Sequence, residues 1–279
     1  MISKTSLAPG LYVAATPIGN LGDMSARLEE VLAQVDLVLC EDTRVTGRLL
    51  QALSIKTKTK PYHDHNGQAV RPAILEALSA GGTMALVSDA GTPLIADPGY
   101  KLVQEARQAG IPIFAIPGPC ALIAALSIAG VPTDRFSFQG FLPAKQGARQ
   151  THLKELIGRT ETLIFYETGP RLSASLADIA HILGDIPVII ARELTKHYEE
   201  VVEGSATPLS NRYKDNPPKG EIVLILPARE GALPSLEEAD PLMDQALKTM
   251  RLKEAAAHVA TETGLKKRDL YQRWLPKND

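Results

Sequence analysis

The chain has 279 residues, 44% hydrophobic content and a formal net charge of −2, which predicts a folded protein of one large or two medium domains. The sequence contains no run of about 18 apolar residues, the length that could span a membrane. The first residues lack the apolar core of a signal peptide. Cys40 and Cys120 provide neither a disulfide framework nor a zinc site. We therefore expect a cytoplasmic protein.

The first half of the chain alternates short apolar runs with helical periodicity, which is typical of an α/β fold with a largely parallel sheet. The predicted strands are Leu11–Ala15, Val35–Cys40, Thr83–Val87 and Ile111–Ile116. The predicted helices are Leu28–Val35, capped by Asp23 or Ser25, then Arg71–Ala80, Tyr100–Ala109 and one opening at Pro117 and ending at Ala129.

A second α/β series follows an aromatic, turn-rich stretch at residues 135–147. Its predicted strands are Leu163–Tyr166, Pro187–Ala191 and Ile222–Leu226, and its predicted helix is Leu172–Leu183. We expect residues 1–117 to form an N-terminal α/β domain and residues 118–230 a C-terminal α/β domain. A linker at residues 228–241 leads to a helical basic tail at residues 235–279.

Charge is unevenly distributed. From residue 245 onward the chain carries eight Lys and Arg against four acids, a net charge of +4, whereas the preceding residues carry −6. A basic tail on an acidic body is one signature of nucleic-acid binding. Charge alone still favours the simpler interpretation, a solvated helix face.

Three predicted strands of the first domain end in turns rich in Gly and Pro, at residues 16–23, 88–93 and 117–120. Ligands bind at the carboxyl ends of parallel strands, where backbone can approach closely and helix N-termini offer free N–H groups. The three turns predict one rim of backbone around a pocket, although three ordinary turns are the alternative. Neither a dinucleotide fingerprint nor a P-loop is present, and we expect no metal at His63-Asp64-His65.

Six motifs carry a family resemblance: "TPIGNLGD" (16–23), "EDTR" (41–44), "HDHN" (63–66), "SDAGTPLIADPG" (88–99), "PGPCA" (117–121) and "DRFSFQGFLP" (134–143). In this order they resemble the bacterial small-subunit (16S) rRNA methyltransferase I family, which are cytidine-2′-O-methyltransferases. That family belongs to the superfamily of tetrapyrrole methylases and diphthine synthases. The resemblance extends from about Leu11 to the tail.

The resemblance implies two α/β domains of tetrapyrrole-methylase type, with S-adenosylmethionine (SAM) in the cleft between them and the substrate on the N-terminal side. The expected cofactor-binding residues are Ile18, Gly19, Asp89, Ala90, Gly91, Thr92, Ile95, Pro117, Gly118, Pro119, Cys120, Ala121, Tyr166, Ala191 and Gly220. For Asp97, cofactor contact and turn capping remain equal alternatives. Pro170 stands where the family often has His, so no role of that His carries over.

Methyl transfer from a sulfonium to a ribose 2′-oxygen is an in-line displacement that requires alignment, and a base near the oxygen would assist it. The candidate bases are Glu41, Asp42, His63, His65 and Lys219. Arg44 cannot accept a proton and suits a phosphate or base contact, but a structural Glu41–Arg44 ion pair remains an alternative. The expected substrate-binding residues are Asn20, Arg44, Asn66, Lys145, Lys266, Lys267 and Arg268.

The spacing of Ala256, Gly264 and Leu270 resembles a helix-turn-helix. It places the three basic residues 266–268 at the start of the last helix, where cations oppose the helix dipole. Phosphate contact would explain that placement. Arg149, beside Phe141 and Lys145, is a second expected RNA contact.

The resulting hypothesis is SAM-dependent 2′-O-methylation of a cytidine in 16S rRNA near the decoding centre. The expected partner is small-subunit rRNA within the assembled or nearly assembled subunit, without a membrane partner, and the superfamily implies a homodimer. One alternative is a tetrapyrrole methyltransferase of the same superfamily. Another is a ribosome-binding protein that retains a SAM pocket without catalysis.

Overall fold

The computed structural model describes residues 6–228 and 236–275. The chain divides into two compact units. Unit 1 comprises the residues up to Ala124 together with Glu193–Glu199, and unit 2 comprises Ala125–Arg192 and the residues from Glu200 onward. This division lies later than the expected boundary near Pro117, and it groups the tail with unit 2.

Unit 1 contains a five-stranded sheet in which every described pair is parallel. Its strands are β1 (Gly10–Ala14), β2 (Leu37–Cys40), β3 (Thr59–Pro61), β4 (Thr83–Leu86) and β5 (Ile113–Ile116), in the order β3-β2-β4-β1-β5. Its helices are α1 (Ala26–Gln34), α2 (Thr43–Ala52), α3 (Asp64–Ser79) and α4 (Tyr100–Gln108), and α5 (Ala121–Ile128) spans the division between the units.

Helices cover both faces of this sheet. Neighbouring residues of β1 point to opposite faces, and they belong to different apolar clusters. Tyr12 packs in the cluster that contains Leu28 of α1, whereas Leu11 packs in the cluster that contains Ile74 of α3. A parallel sheet buried on both faces leaves its strand ends as the place where polar chemistry can be exposed.

Unit 2 has a mixed sheet in the order β6-β7-β10-β8-β9. The strands are β6 (Phe136–Phe141), β7 (Thr162–Thr168), β8 (Pro187–Arg192), β9 (Glu200–Ser205) and β10 (Glu221–Leu226). Only β6 and β7 pair in parallel, and the other described pairs are antiparallel. Unit 2 therefore differs from the parallel sheet of unit 1, because β8 and β9 pair directly without an intervening helix.

The helices of unit 2 include α6 (Gln146–Glu155), α7 (Gly169–Leu183) and α8 (Ala206–Lys214). The tail adds α9 (Asp240–Leu247), α10 (Leu252–Thr263) and α11 (Lys267–Arg273). The tail helices share an apolar cluster of their own that includes Met243, Val259 and Leu270. Across the described ranges, no helix has the length and apolar character needed to cross a membrane.

Candidate functional site

The five parallel strands of unit 1 bring their carboxyl ends to one edge of the sheet. Each end is followed by a segment singled out in the sequence: residues 16–23 after β1, 41–44 after β2, 63–66 after β3, 88–99 after β4 and 117–121 after β5. The motifs therefore converge because the strands are parallel and adjacent.

Hydrogen bonds join three of these turns into one rim. The Thr16 N–H donates to the Gly91 carbonyl over 2.9 Å, and the Gly91 N–H donates back to the Thr16 carbonyl over 3.1 Å. The Thr92 hydroxyl donates to the Pro119 carbonyl over 3.0 Å. The expected rim thus has a physical basis, since the turns after β1, β4 and β5 fix one another.

Two glycines allow the turns to approach this closely. Gly91 has φ of +82°, and a Cβ there would lie 3.2 Å from Ile18 Cγ2. A Cβ on Gly118 would lie 3.0 Å from the Ala15 Cβ. The N–H and the carbonyl of Gly91 are both hydrogen-bonded to Thr16. This glycine therefore shapes the rim rather than offering its own N–H group to a ligand.

Acidic side chains line the same edge. The Asp89 carboxylate accepts a hydrogen bond from the Asp42 N–H over 3.1 Å. Burial raises the pKa of Glu41, Asp89 raises it further, and His63 partly offsets both effects. Burial also raises the pKa of Asp97 to about 6, a hydrogen bond from Ser88 opposes this, and the Glu41 and Asp89 charges add to the increase.

Asp42 and Arg44 form an exposed ion pair. The Arg44 guanidinium lies 2.5 Å from the Asp42 carboxylate, and hydrogen bonds from Arg44 lower the pKa of Asp42 to about 2. The sequence alternative of a Glu41–Arg44 ion pair is therefore wrong, because Arg44 folds back onto the carboxylate that caps α2. Among the two acids of this motif, Glu41 alone has a raised pKa.

His63 and Asn66 form a reciprocal cap at the start of α3. The His63 Nδ1 accepts from the Asn66 N–H over 3.3 Å, and the Asn66 carboxamide oxygen accepts from the His63 N–H over 2.9 Å. The Asn66 carboxamide nitrogen donates to the Pro61 carbonyl over 2.9 Å. The motif is thus the N-cap and first turn of a helix. In neutral His63 the proton resides on Nε2, because Nδ1 is the acceptor.

His65 follows on the same turn, with its ring centroid 6.0 Å from that of His63. The His65 side chain is exposed. In the part of the chain that the structure describes, no group of three or more His, Cys, Asp or Glu side chains is arranged to hold a metal ion.

A further segment of unit 1 was missed by the sequence analysis. A Cβ on Gly19, which has φ of +145°, would lie 2.7 Å from the Cγ and Cε atoms of Lys196. The Asn20 carboxamide nitrogen donates to the Thr195 carbonyl over 3.4 Å. The segment Glu193–Glu199 lies far along the chain, and no local pattern in its polar sequence predicts this contact.

In unit 2, Tyr166 and Ala191 occupy the same row of the sheet, because both pair with Val223 of β10. The Tyr166 ring packs edge-on against Phe138 and Phe141, with centroid distances of 4.7 Å and 5.7 Å. Tyr166, which the resemblance implies as a cofactor contact, is half-buried in this aromatic cluster.

The turn before β10 carries Lys219 and Gly220, both of which are exposed. Gly220 has φ of +90°. A Cβ on Gly169, at the start of α7, would lie only 1.6 Å from the Pro218 carbonyl oxygen. Pro170 is accommodated beside it because it occupies the first turn of α7, where a missing N–H costs nothing.

Arg149 is not available to RNA, and its expected role as an RNA contact is wrong. The Arg149 guanidinium lies 2.6 Å from the Asp178 carboxylate, with both side chains almost fully buried. Arg149 also donates to the carbonyls of Pro143 and Ala144. It therefore fixes the start of α6, whereas neighbouring Lys145 is exposed.

The tail contains the expected helix-turn-helix arrangement. Gly264 ends α10 in the left-handed conformation, with φ of 75°. Three exposed basic residues follow at the beginning of α11, namely Lys266, Lys267 and Arg268. Arg273, near the end of α11, pairs with Asp240 of α9 over 2.6 Å.

The rim of unit 1 suits a ligand with the chemistry of SAM. The cation of a sulfonium or amino group complements the carboxylates of Glu41, Asp89 and Asp97, which repel one another in the protein alone. The glycines of the turns allow the backbone to approach such a ligand closely. The family resemblance assigns SAM to these turns, and their charge and shape agree with that assignment.

Comparison with known proteins identifies the class first. The family model for Tetrapyrrole (Corrin/Porphyrin) Methylases matches residues 10–209, and a model for the RsmI C-terminal HTH domain matches residues 234–277. The uroporphyrin-III-C-methyltransferase of Thermus thermophilus aligns with a TM-score of 0.56, covering 78% of this chain and 94% of that one at 19% identity. At that identity the alignment shows the fold alone, which is the two-domain tetrapyrrole-methylase fold expected from the sequence.

Similar proteins identify the family more narrowly than the fold does. "Ribosomal RNA small subunit methyltransferase I" of Erythrobacter litoralis is 50% identical, with 98% of this chain and 97% of that protein covered. The protein of the same name from Vibrio cholerae is 47% identical, with 95% and 94% covered. The chain therefore belongs to the ribosomal RNA small subunit methyltransferase I family of SAM-dependent methyltransferases, as the motifs predicted.

Proposed function

We propose that this protein transfers a methyl group from SAM to the ribose 2′-hydroxyl of a cytidine in 16S rRNA, near the decoding centre. The observation that carries the proposal is the high identity to small-subunit rRNA methyltransferases over nearly the whole chain. It is supported by the meeting of all five strand-end motifs at one edge of unit 1.

We assign residues 1–117 to the substrate side, residues 118–230 to the SAM side and residues 235–279 to RNA binding. SAM supplies an electrophilic methyl carbon when it is bound. The interlocked turns at Thr16, Gly91 and Pro119 hold the rim in one conformation. Rigid turns of this kind favour transfer because they fix the alignment before the reaction.

Of the two acids in the motif at residues 41–44, Glu41 suits the role of general base better than Asp42. A base near neutral pH needs a pKa above that of an ordinary carboxyl group, and Glu41 has a raised pKa. The pKa of Asp42 is lowered to about 2 by Arg44, which makes Asp42 a poor proton acceptor. We propose that Glu41 accepts the proton of the substrate 2′-hydroxyl, whose oxygen bound SAM would methylate.

His63 supports this arrangement in a different manner. Its ring is held by the cap with Asn66, and its charge lowers the pKa of Glu41 against the effects that raise it. We propose that His63 positions and tunes Glu41, and that His65, Lys219 and Asn66 are secondary candidates for substrate contact.

RNA binding is assigned to the exposed basic residues. Arg44 and Lys145 expose their side chains, and so do the three basic residues that begin α11. Phosphate contacts position an RNA without reading its sequence. We further propose that the enzyme acts in the cytoplasm as a homodimer on the assembled or nearly assembled small subunit.

Transfer of a radiolabelled methyl group from SAM tests the function. The substrates are small subunits from a strain that lacks the protein, free 16S rRNA and a tetrapyrrole precursor. We expect label in subunit RNA that maps to a 2′-O-methylated cytidine. Label in the tetrapyrrole alone would refute the proposal, and SAM binding without any transfer would favour a non-catalytic role.

A further inference from the structure

The segment Glu193–Glu199 joins β8 to β9 but belongs to unit 1. Its Lys196 side chain packs on Gly19, where a Cβ would lie only 2.7 Å away. Its Thr195 carbonyl accepts a hydrogen bond from Asn20 over 3.4 Å. The segment therefore lies against the turn after β1, which the proposed function places on the substrate side.

The segment is held in a strained conformation. Glu193 and Thr195 have φ of +50° and +66°, which is unfavourable for a side chain, and especially for a β-branched one. The Glu199 carboxylate accepts from the Thr195 N–H over 2.6 Å, and the Glu193 carboxylate accepts from the Lys196 ammonium over 3.0 Å. Such strain persists only where the surroundings impose it.

The strained segment presents an aromatic pair to solvent. The rings of His197 and Tyr198 pack edge-on with centroids 4.8 Å apart. Tyr198 is 70% exposed, the highest value for a large hydrophobic side chain among the described residues. An exposed ring adds little to folding, whereas unpaired nucleobases stack readily on exposed aromatic side chains.

The charged groups of the segment have partners within it. Its two flanking acids, Glu193 and Glu199, are occupied by Lys196 and by the Thr195 N–H. The Lys196 side chain is 32% exposed and pairs with Glu193 over 3.0 Å. A cation and an exposed aromatic ring on one short segment form a combination with which proteins hold single-stranded nucleic acid.

We propose that Glu193–Glu199 is an RNA-binding element next to the acceptor nucleotide, in which Tyr198 stacks on an unpaired base and Lys196 contacts the adjoining phosphate. The inference rests on the proposed rRNA methyltransferase function, and its residues lie outside the six sequence motifs. It assigns no bond-making role to either side chain.

Substitutions at position 198 separate stacking from simple apolar contact. The variants Tyr198→Ala and Tyr198→Leu should weaken binding of SAM-saturated enzyme to small subunits about tenfold, whereas Tyr198→Phe should stay within about twofold of the wild type. SAM affinity should be unchanged in all three. Tyr100→Ala is the matched control, because Tyr100 is 64% exposed in the same unit, and it should bind normally.

Lys196 is tested by salt dependence. Lys196→Met should reduce the slope of log affinity against log salt concentration by about one, and Lys196→Arg should retain it. Unchanged affinity in Tyr198→Ala, with wild-type methylation of rRNA intact, would overturn the inference and leave the function standing. Equal losses in the Phe and Ala variants would overturn stacking.

Photo-cross-linking tests the element without relying on methyl transfer. Small subunits that contain 4-thiouridine should cross-link their RNA to the tryptic peptide His197–Arg212, which carries Tyr198. A cross-link of that peptide to a ribosomal protein in place of RNA would overturn the inference. If the wild type transfers no methyl group to RNA, the proposed function fails, and the cross-link still decides whether this element binds RNA.

Discussion

The carboxylate of Asp89 accepts the backbone N–H of Asp42 over 3.1 Å and so ties the end of β4 to the end of β2. The same carboxylate raises the pKa of Glu41, the residue before Asp42. One side chain therefore fixes the position of the candidate base and adjusts its proton affinity. A cation bound at this edge would relieve the repulsion between the carboxylates and stabilise their ionised forms.

Glu41→Gln should lower the single-turnover rate of methyl transfer by about a hundredfold, because general bases contribute on this scale. SAM affinity, measured by calorimetry, should change only a few-fold. The wild-type rate should fall at acidic pH as Glu41 becomes protonated. The rate of the variant should not show this decrease at acidic pH.

Asp42→Asn is the matched control for this substitution. It removes the charge that pairs with Arg44 and leaves Glu41 in place, so its rate loss should be much smaller. A wild-type rate in Glu41→Gln would contradict the assignment and leave alignment as the source of catalysis.

The strongest sequence signals were the elements with clear periodicity. The helix predicted at Tyr100–Ala109 is observed at Tyr100–Gln108, and the strand predicted at Thr83–Val87 is observed at Thr83–Leu86. Helix α2 was missed because polar residues and Gly47 interrupt its apolar pattern. Strand β9 was missed because glutamates occupy its first position and its interior.

The site was predictable where it depends on strand ends and unpredictable where it depends on distant contacts. Glu41 and Asp89 each follow a parallel strand, and this position alone predicts that they lie at the same edge of the sheet. Burial of Arg149 against Asp178 depends on the packing of α6 against α7, which composition does not reveal. The contact of Lys196 with Gly19 joins residues far apart in the chain, so only the folded structure identifies it.

Asp97→Asn should stabilise the protein at pH 7. The folded-state pKa of Asp97 is about 6, above its usual 3.8, so the folded state retains a proton that the unfolded state loses. The free energy of unfolding therefore falls as pH rises from about 4 to 6. An Asn at position 97 does not ionise, so the variant does not lose this stability. We expect a gain of about 1 kcal/mol at pH 7, discounted because the carboxyl is only partly buried.

Urea unfolding at pH 4 and pH 7 measures this effect, and the difference between variant and wild type should vanish at pH 4. Asp134→Asn is the control, because Asp134 is 76% exposed and should change stability little at either pH. Wild-type SAM affinity should rise between pH 5 and pH 7, because a cation favours the ionised carboxyl, and Asp97→Asn should weaken that rise. Equal stability gains at both pH values would contradict the assigned titration.

Two helix glycines should respond oppositely to alanine. A Cβ on Gly169 would lie 1.6 Å from the Pro218 carbonyl oxygen, so Gly169→Ala should destabilise the protein by about 3 kcal/mol. Gly47 lies inside α2 with open space around its Cα, so Gly47→Ala should stabilise by about 0.5–1 kcal/mol. Urea unfolding measures both changes.

Gly169→Ala has a further consequence at the proposed cofactor side. Pro218 immediately precedes Lys219 and Gly220, so displacing its carbonyl should shift that turn and weaken SAM binding. Gly47→Ala should leave SAM affinity unchanged. If both variants bound SAM equally well at a temperature where both are folded, the role assigned to the turn before β10 would be refuted.

Replacing Lys266, Lys267 and Arg268 together by Gln should weaken RNA binding and leave the tail folded. Each lost phosphate contact reduces the salt slope by about 0.7–0.9, so the total reduction should be about two. Folding should not suffer, because cations at the start of α11 oppose the helix dipole. Trp274, the single tryptophan of the chain, allows tail unfolding to be followed by fluorescence.

Arg273→Gln provides the opposite control. Arg273 pairs with Asp240 over 2.6 Å and joins α11 to α9, so its loss should lower tail stability slightly while leaving the salt slope almost unchanged. The two variants thus separate binding from stability within one helix. If the triple variant unfolded the tail and Arg273→Gln reduced the salt slope, the basic start of α11 would be a structural feature and RNA would contact the other end of the helix.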